Sequence, residues 1–184
     1  MKTTIKLTVL LAICLGLCSC ATYNVTFFKA LTTQPKVQSV YVFVNDSLGG
    51  SALNNTDENS PNYFMKKLSG YIGKALTNNG IKNTLKIYSS VYSLETLDDI
   101  TTQINNLKPD AIITVKREHT TLGASKYGLY YGGGTYSISV SSSKTSKVYW
   151  KSVIDTSNES GFMESDYESI IKQLIDKIKQ DGIM

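Results

Sequence analysis

The stretch Val40-Tyr41-Val42-Phe43-Val44 decides the class of fold to which this chain belongs. Its β-branched and aromatic residues follow one another without a polar interruption, which is the pattern of a strand covered on both faces. The run Asp110-Ala111-Ile112-Ile113-Thr114-Val115 shows the same pattern, since its middle is apolar at consecutive positions. Both stretches predict strands inside a sheet, and the first of these strands spans residues 37–44.

Three segments with helical spacing lie between and after these strands. The first begins at Ser60-Pro61, with Ser as N-cap and Pro at the first helical position, and ends at Asn79-Gly80. The second begins at Ser93 and ends at Lys108-Pro109, and the last begins with the capping box Ser165-x-x-Glu168. Their predicted core-facing residues are Phe64, Leu68, Ile72, Ala75 and Leu76, then Leu97, Ile100, Ile104 and Leu107, then Ile170, Ile171, Leu174, Ile175 and Ile178.

The other strands follow from local patterns of apolar residues. Residues 85–92 predict a second strand, and residues 136–142 alternate between apolar and polar positions. After a polar turn, residues 148–154 complete an antiparallel hairpin, whereas residues 120–134, rich in glycine and tyrosine, predict a loop. The order β-α-β-α-β-β-β-α predicts a single α/β (α+β) domain over residues 36–182, with helices packed on one mixed sheet.

The start of the chain has the pattern of a secretory signal. Lys2 and Lys6 are followed by residues 7–17, which are almost wholly apolar. This run is shorter than the about 20 apolar residues that span a bilayer, and it lacks the polar face of a core helix. We therefore predict a signal peptide over residues 1–19, followed by a tether over residues 20–35.

The residues Leu17-Cys18-Ser19-Cys20 end this apolar run. They resemble the lipobox of bacterial lipoproteins, in which a large aliphatic residue stands three places before an invariant cysteine. The resemblance implies that Cys20 becomes the mature N-terminus and carries a diacylglycerol thioether and an N-acyl chain such as palmitate. Two or more acyl chains anchor a protein stably. Ala21 stands where an Asp would resemble an inner-membrane retention signal, so the expected location is the outer membrane, facing the periplasm.

Composition excludes several classes of function. All three cysteines lie at or before position 20, so the predicted domain has no disulfide, no catalytic cysteine and no cysteine-based metal site. Arg117 is the only arginine, which disfavours nucleic-acid binding, because arginine is the preferred reader of bases. Asp46, Asp57 and Glu58 lack the spacing of an EF-hand loop. The sequence therefore predicts neither a metal site nor a cofactor.

Three short motifs accompany the predicted elements: Gly80-Ile81 after the first helix, Lys108-Pro109-Asp110 before the third strand, and Lys147-Val148-Tyr149-Trp150 in the hairpin. In this order, residues 36–180 resemble a group of small bacterial envelope lipoproteins. The group includes the periplasmic domain of the lipoprotein activator of penicillin-binding proteins, the curli-secretion lipoprotein and the N-terminal domain of TolB. The resemblance carries no catalytic residue and implies an accessory or binding role in the cell envelope.

Four tyrosines lie in or beside the glycine-rich segment, namely Tyr127, Tyr130, Tyr131 and Tyr136. Tyrosine offers a large amphipathic contact area at a small entropic cost, so such segments suit ligand or partner binding. The alternative is that the tyrosines pack on the sheet and only the glycines are mobile. Gly132-Gly133-Gly134-Thr135 lacks the Lys and the following helix of a P-loop, so it predicts a flexible hairpin entry.

An enzyme is the main alternative to a binding protein. Glu118 and His119 are the only neighbouring carboxylate and histidine, but adjacent strand residues face opposite ways, which favours a surface histidine. A cell-wall or glycan hydrolase would instead need two carboxylates about 5–10 Å apart in one cleft. The candidates for such a pair are Asp46, Asp57, Glu58, Glu95, Asp98, Asp99 and Glu118.

The sequence as a whole predicts a lipid-anchored, non-enzymatic protein of the cell envelope. Its expected partner, besides the membrane, is another envelope protein or a cell-wall component. Trp150 is interpreted as a core or hairpin residue, and the apolar stripe of the last helix is interpreted as part of the core. A subunit of a surface polymer is the third hypothesis, which a free strand edge or a swapped tail would favour.

Overall fold

The computed structural model describes residues 21–29, 36–45, 61–88, 94–125 and 128–184. Several residues singled out by the sequence lie outside these ranges: the predicted signal peptide, Cys20, Asp46, Asp57, Glu58, Ser60, Ser93 and Tyr127. Within the described part of the chain, no helix is both long and apolar enough to cross a membrane.

The described residues form six strands and three helices, together with the segments that connect them. This confirms the predicted α+β class with one mixed sheet. The strands are β1 (Thr22–Lys29), β2 (Ser39–Asn45), β3 (Lys82–Tyr88), β4 (Ala111–Ser125), β5 (Gly128–Ser142) and β6 (Val148–Ser157). The helices are α1 (Pro61–Asn78), α2 (Leu97–Leu107) and α3 (Glu164–Gln180), and a 3₁₀ turn, Glu159–Gly161, precedes α3. The sheet order is β1-β6-β5-β4-β2-β3, with β2 parallel to β3 and β4 and the other neighbours antiparallel.

One face of the sheet is covered by α1 and α3 and forms the hydrophobic core. Alternate residues of β2, such as Val42, lie on this face together with Ile113 of β4 and Trp150 of β6. The helices contribute residues that their spacing predicts, namely Phe64, Leu68, Ile72 and Leu76 from α1 and Ile170, Ile171, Leu174, Ile175 and Ile178 from α3. The predictions that Trp150 and the last helix belong to the core are confirmed.

The opposite face of β2 is covered by α2. Tyr41 alternates with the core-facing valines and is fully buried. Its hydroxyl donates a hydrogen bond to Oε1 of Gln103 on α2 (3.2 Å), and Ile100 of the same helix is buried. The uninterrupted apolar run in β2 thus reflects a strand that is covered on both faces, as its sequence predicts.

The segment that follows position 20 differs from the predicted tether. Thr22–Lys29 forms β1 and pairs along its whole length with β6. Tyr23, Val25 and Phe27 pack against the core, and the hydroxyls of Tyr23 and Ser169 are hydrogen-bonded (2.7 Å). Phe28, next to Phe27, is 53% exposed, so the two aromatic neighbours lie on opposite faces. The sheet therefore gains an edge strand that the sequence analysis assigned to a connecting segment.

Two of the helices begin at residues other than those predicted. In α2 the N-cap is Thr96: its hydroxyl accepts from the N–H of Asp99 (3.2 Å), and its own N–H donates to the Asp99 carboxylate (2.8 Å). Before α3, the N–H of Met163 donates to the Asp166 carboxylate (2.8 Å), and Ser165 lies inside the helix. Both differences shift a helix start by a few residues. The buried face of α3 is as predicted, whereas in α2 only Ile100 is buried and the predicted core residues Leu97 and Leu107 are 52% and 54% exposed.

Candidate functional site

The predicted glycine- and tyrosine-rich loop is instead the continuation of β4 and β5. Beyond Lys116, which pairs with Asn45, β4 has no partner except β5 among the described residues, and β6 accompanies β5 only from Gly133 onward. Residues 122–125 and 128–132 therefore form a two-stranded extension of the sheet, which we call the ribbon. Register shifts after Arg117 and after Thr121 interrupt the alternation, which explains why the sequence pattern indicates a loop.

The ribbon contains two of the four tyrosines that the sequence analysis proposed for binding. The backbone of Tyr130 pairs with Gly123, and the backbone of Tyr131 pairs with Leu122. The side chain of Leu122 is 56% exposed, and His119 at the base of the ribbon is also exposed. The structure thus places Tyr130 and Tyr131 together on a projecting element.

Tyr136 lies apart from the ribbon, in the core. Its side chain is fully buried, and its ring centroid is 4.7 Å from that of Phe64. Its hydroxyl donates a hydrogen bond to Oε1 of Glu159 (2.7 Å). A partner cannot contact a buried side chain, so Tyr136 has a structural role, as the alternative interpretation of the tyrosines expected.

Glu159 is the centre of a polar cluster at the base of the ribbon. Its Oε1 atom accepts hydrogen bonds from the hydroxyls of Tyr136 and Thr156 (2.5 Å). Burial raises the pKa of Glu159, while these two hydrogen bonds and the charge of Arg117 oppose the rise. Burial also raises the pKa of Tyr136, and the neighbouring Glu159 charge adds to the effect. The cluster holds the 3₁₀ turn against β5.

A carboxyl group with a raised pKa is a common feature of catalytic sites. Here, however, the Tyr136 hydroxyl and the Thr156 hydroxyl already occupy Oε1 of Glu159, and Arg117 beside it is only 2% exposed. These contacts give the cluster a structural role. Glu159 is not recognisable as part of a cluster from the sequence, because nothing in its local sequence indicates that the 3₁₀ turn folds back onto β5.

The glycines beside this cluster allow two strands to approach closely. Gly133 has a φ of +149°, and a β-carbon there would overlap the carbonyl oxygen of Thr156 in β6. A β-carbon on Gly134 would lie 2.8 Å from the carbonyl oxygen of His119 in β4. The glycines are thus part of β5, required by packing, and do not form the flexible hairpin entry that the sequence predicts.

Three described members of the acidic set, Glu95, Asp99 and Glu118, hold structural contacts, and that of Asp99 caps α2. Glu95 forms an ion pair with Lys86 and accepts from Nε2 of Gln103 (3.1 Å). Glu118 accepts from Nζ of Lys116 (2.9 Å) and from the hydroxyl of Ser137 (2.7 Å). These bonds lower the pKa of both carboxyl groups, the largest cause being the lysine in each case. Among the described residues, no group of three or more His, Cys, Asp or Glu could hold a metal ion.

A groove of about 740 Å³ lies at the opposite end of the sheet, where the parallel strands begin. Asp110 lines it and ties β4 to the start of β2: its Oδ2 accepts from the N–H groups of Gln38 (3.0 Å) and Ser39 (2.9 Å). These bonds, first the one from Gln38, lower the pKa of Asp110. The Lys-Pro-Asp motif therefore has a structural role, joining two strands at one edge of the groove.

No protein-family model matches the chain, and no curated protein matches it in sequence. Among solved structures, the PelC dodecamer from Paraburkholderia phytofirmans is 10% identical, with a TM-score of 0.48, covering 83% of this chain and 94% of that chain. Lipoprotein GNA1162 from Neisseria meningitidis is 12% identical, with a TM-score of 0.42, covering 79% of this chain and 99% of that chain.

TolB from Acinetobacter baumannii is 12% identical, with a TM-score of 0.36, covering 87% of this chain and 31% of that chain. At these identities and scores the similarity concerns the general arrangement of strands and helices.

Proposed function

We propose that this protein is a lipid-anchored, non-enzymatic module of the cell envelope that binds another envelope component. The observation that carries the proposal is the position of Leu17-Cys18-Ser19-Cys20. Cys20 stands two residues before the first strand, Thr22–Lys29, so cleavage before Cys20 would remove no described element. The acylated cysteine would then adjoin the folded domain directly.

The ribbon is the proposed contact surface, with Tyr130 and Tyr131 as its contact residues. Strand residues that project beyond a sheet remain available to a partner, and tyrosine suits such contacts. The non-enzymatic assignment is supported by the structural contacts of Glu95, Glu118 and Glu159. The proposed location is the outer membrane, facing the periplasm, because Ala21 is not an Asp.

The lipid anchor is tested by replacing Cys20 with alanine in cells fed an alkyne analogue of palmitate. The Cys20→Ala protein should lose the label entirely and retain residues 1–19, because lipidation and cleavage both require this cysteine in the proposed scheme. Measurement combines in-gel detection of the alkyne with mass spectrometry of the N-terminal peptide. Cys18→Ala is the matched control and should be labelled and cleaved like the wild type. Undiminished labelling of Cys20→Ala would refute the proposed anchor.

The contact surface is tested by photo-crosslinking in the native envelope. A photoreactive residue at Tyr131 should give a discrete adduct, whereas one at Lys172, whose exposed side chain lies on α3, should give none. Protein, glycan and lipid adducts are distinguished by mass spectrometry and by digestion. An equal pattern of adducts at both positions would contradict a specific contact through the ribbon.

The free edge of β3 favours a second candidate function, that of a subunit in a surface polymer. β3 pairs only with β2 among the described residues, and Leu85 and Ile87 are partly exposed on it. An unpaired edge is a template for strand addition. However, Lys82 and Lys86 lie on the same strand, and charged residues on an edge oppose such pairing. The binding module therefore remains the first candidate.

A further inference from the structure

The proposed lipid attachment and the ribbon lie at the same end of the sheet. Strand pairing shows this directly, because Thr22 pairs with Ser157, Ser157 with Gly133, and Gly133 with Thr121. These four residues form one row across the sheet. From this row, the chain before Thr22 leads to Cys20. The continuations of β4 and β5 beyond the same row lead to the tip of the ribbon, and both leave the row on the same side.

The connection from the sheet to Cys20 is short and held in place. Two residues span at most about 7 Å even when fully extended. Ala21, the one residue between Cys20 and β1, lies beside the 3₁₀ turn: a β-carbon built on Gly161 would be 3.5 Å from the β-carbon of Ala21. An acylated Cys20 would therefore keep this end of the domain close to the membrane surface.

The ribbon extends farther from the row than this connection can reach. Residues 122–125 continue β4 beyond Thr121, and at about 3.3 Å per strand residue they add about 13 Å. The polar headgroup layer on one side of a bilayer is only about 5–8 Å thick. When the strands stand along the membrane normal, the tip of the ribbon therefore enters the headgroup layer.

The composition of the ribbon suits this environment. Paired positions near the tip bring together Leu122 with Tyr131, Gly123 with Tyr130, and Ala124 with Leu129. Tyrosine is enriched at membrane–water interfaces, where its ring is buried and its hydroxyl stays hydrated. Residues 119–135 contain no Asp or Glu, so an anionic lipid surface would not repel this part of the chain.

From these observations we infer that the ribbon is a second membrane contact, whose Leu122, Tyr130 and Tyr131 enter the headgroup layer of the membrane that holds the acyl chains of Cys20. The inference rests on the proposed lipidation and names the component that the ribbon contacts. Together, the acylated Cys20 and the ribbon would fix the orientation of the domain relative to the membrane as well as its attachment. The groove at the start of the parallel strands then faces away from the membrane.

The test measures how deeply labelled positions lie in the bilayer. Leu122→Cys carries a nitrobenzoxadiazole fluorophore near the tip, Thr120→Cys carries it nearer the sheet, and Thr145→Cys carries it on an exposed turn at the opposite end. Each introduced thiol is the only free one once Cys20 is acylated, because Cys14 and Cys18 lie in the signal peptide. The acylated full-length protein is reconstituted into phosphatidylethanolamine–phosphatidylglycerol vesicles that contain phospholipid spin-labelled at the headgroup.

We expect the headgroup quencher to remove about half or more of the fluorescence at position 122, less at position 120, and none at position 145. Flotation of acylated protein without quenching at position 122 overturns the ribbon contact alone, and a protein adduct at Tyr131 would then identify the other class of partner. Protein that is not acylated and does not float with vesicles overturns both the anchor and the ribbon contact.

Discussion

Replacing Gly133 with alanine should lower the free energy of unfolding by about 2–6 kcal/mol, since backbone strain and overpacking each cost about 1–3 kcal/mol. The φ of +149° disfavours any residue with a β-carbon, and that β-carbon would overlap the Thr156 carbonyl oxygen and lie 2.8 Å from Cα of Ser157. Both atoms belong to the backbone of a paired strand and cannot move aside. Urea unfolding followed through the fluorescence of Trp150, the only tryptophan, measures the change.

Gly70→Ala is the matched control for this experiment. Gly70 lies within α1, is exposed, and has no atom within 4 Å of the position that a β-carbon would take. Alanine should therefore stabilise the protein by about 0.5–1 kcal/mol, because glycine is unfavourable inside a helix. Wild-type stability of Gly133→Ala would show that β5 and β6 do not approach each other as described.

Replacing Glu159 with alanine should cost about 2–4 kcal/mol, because a buried hydroxyl without its partner loses about 1–3 kcal/mol. The Tyr136 hydroxyl would lose its acceptor, and the Thr156 hydroxyl would keep only its backbone partner Gly134, whose carbonyl oxygen accepts from it (3.0 Å) and whose N–H donates to it (2.9 Å). Glu164→Ala removes an exposed carboxylate of the same chemistry and should change stability by less than about 0.5 kcal/mol. Equal stabilities of the two variants would contradict the role of the Glu159 cluster.

Glu159→Gln separates the charge of Glu159 from its hydrogen bonds. The folded-state pKa of Glu159 lies above its unfolded value, so the folded state binds its proton more tightly. Its contribution to stability is therefore greatest below the unfolded pKa of about 4.3 and declines as pH rises through the folded pKa. The free energy of unfolding of the Gln variant, measured from pH 4 to pH 8, should rise relative to that of the wild type. A constant difference would contradict the raised pKa.

The central strands and the helices were predictable because their burial leaves a local pattern. Val40, Val42 and Val44 face the core, while Tyr41 faces α2, so a run without polar residues corresponds to a strand between two layers. The same holds for α3, where Ile170 and Leu174 repeat at helical spacing and are buried. In β2 and in α3, the spacing of apolar residues within the element itself is enough to predict which residues are buried.

The edge strand and the ribbon were missed because their pairing depends on distant residues. Phe27 and Phe28 interrupt the expected alternation of β1, although only Phe27 packs on Trp150, with ring centroids 5.9 Å apart. In the ribbon and just before it, two register shifts and several glycines break the period of two that marks a strand. In the sequence, Tyr136 follows the same glycine-rich segment that contains Tyr130 and Tyr131, and only the fold shows that its side chain is buried.

The pairing of the first strand with the last has a consequence for the order in which the chain can fold. Thr22 and Ser157, whose hydroxyls are hydrogen-bonded, are 135 residues apart, whereas β2, α1 and β3 follow one another directly. Contacts between distant residues form slowly, because the entropy of closing the intervening loop opposes them. β1 cannot pair until β6, which lies near the other end of the sequence, has been synthesised. β1 therefore joins the sheet late, after the strands and helices that lie between it and β6 in the sequence.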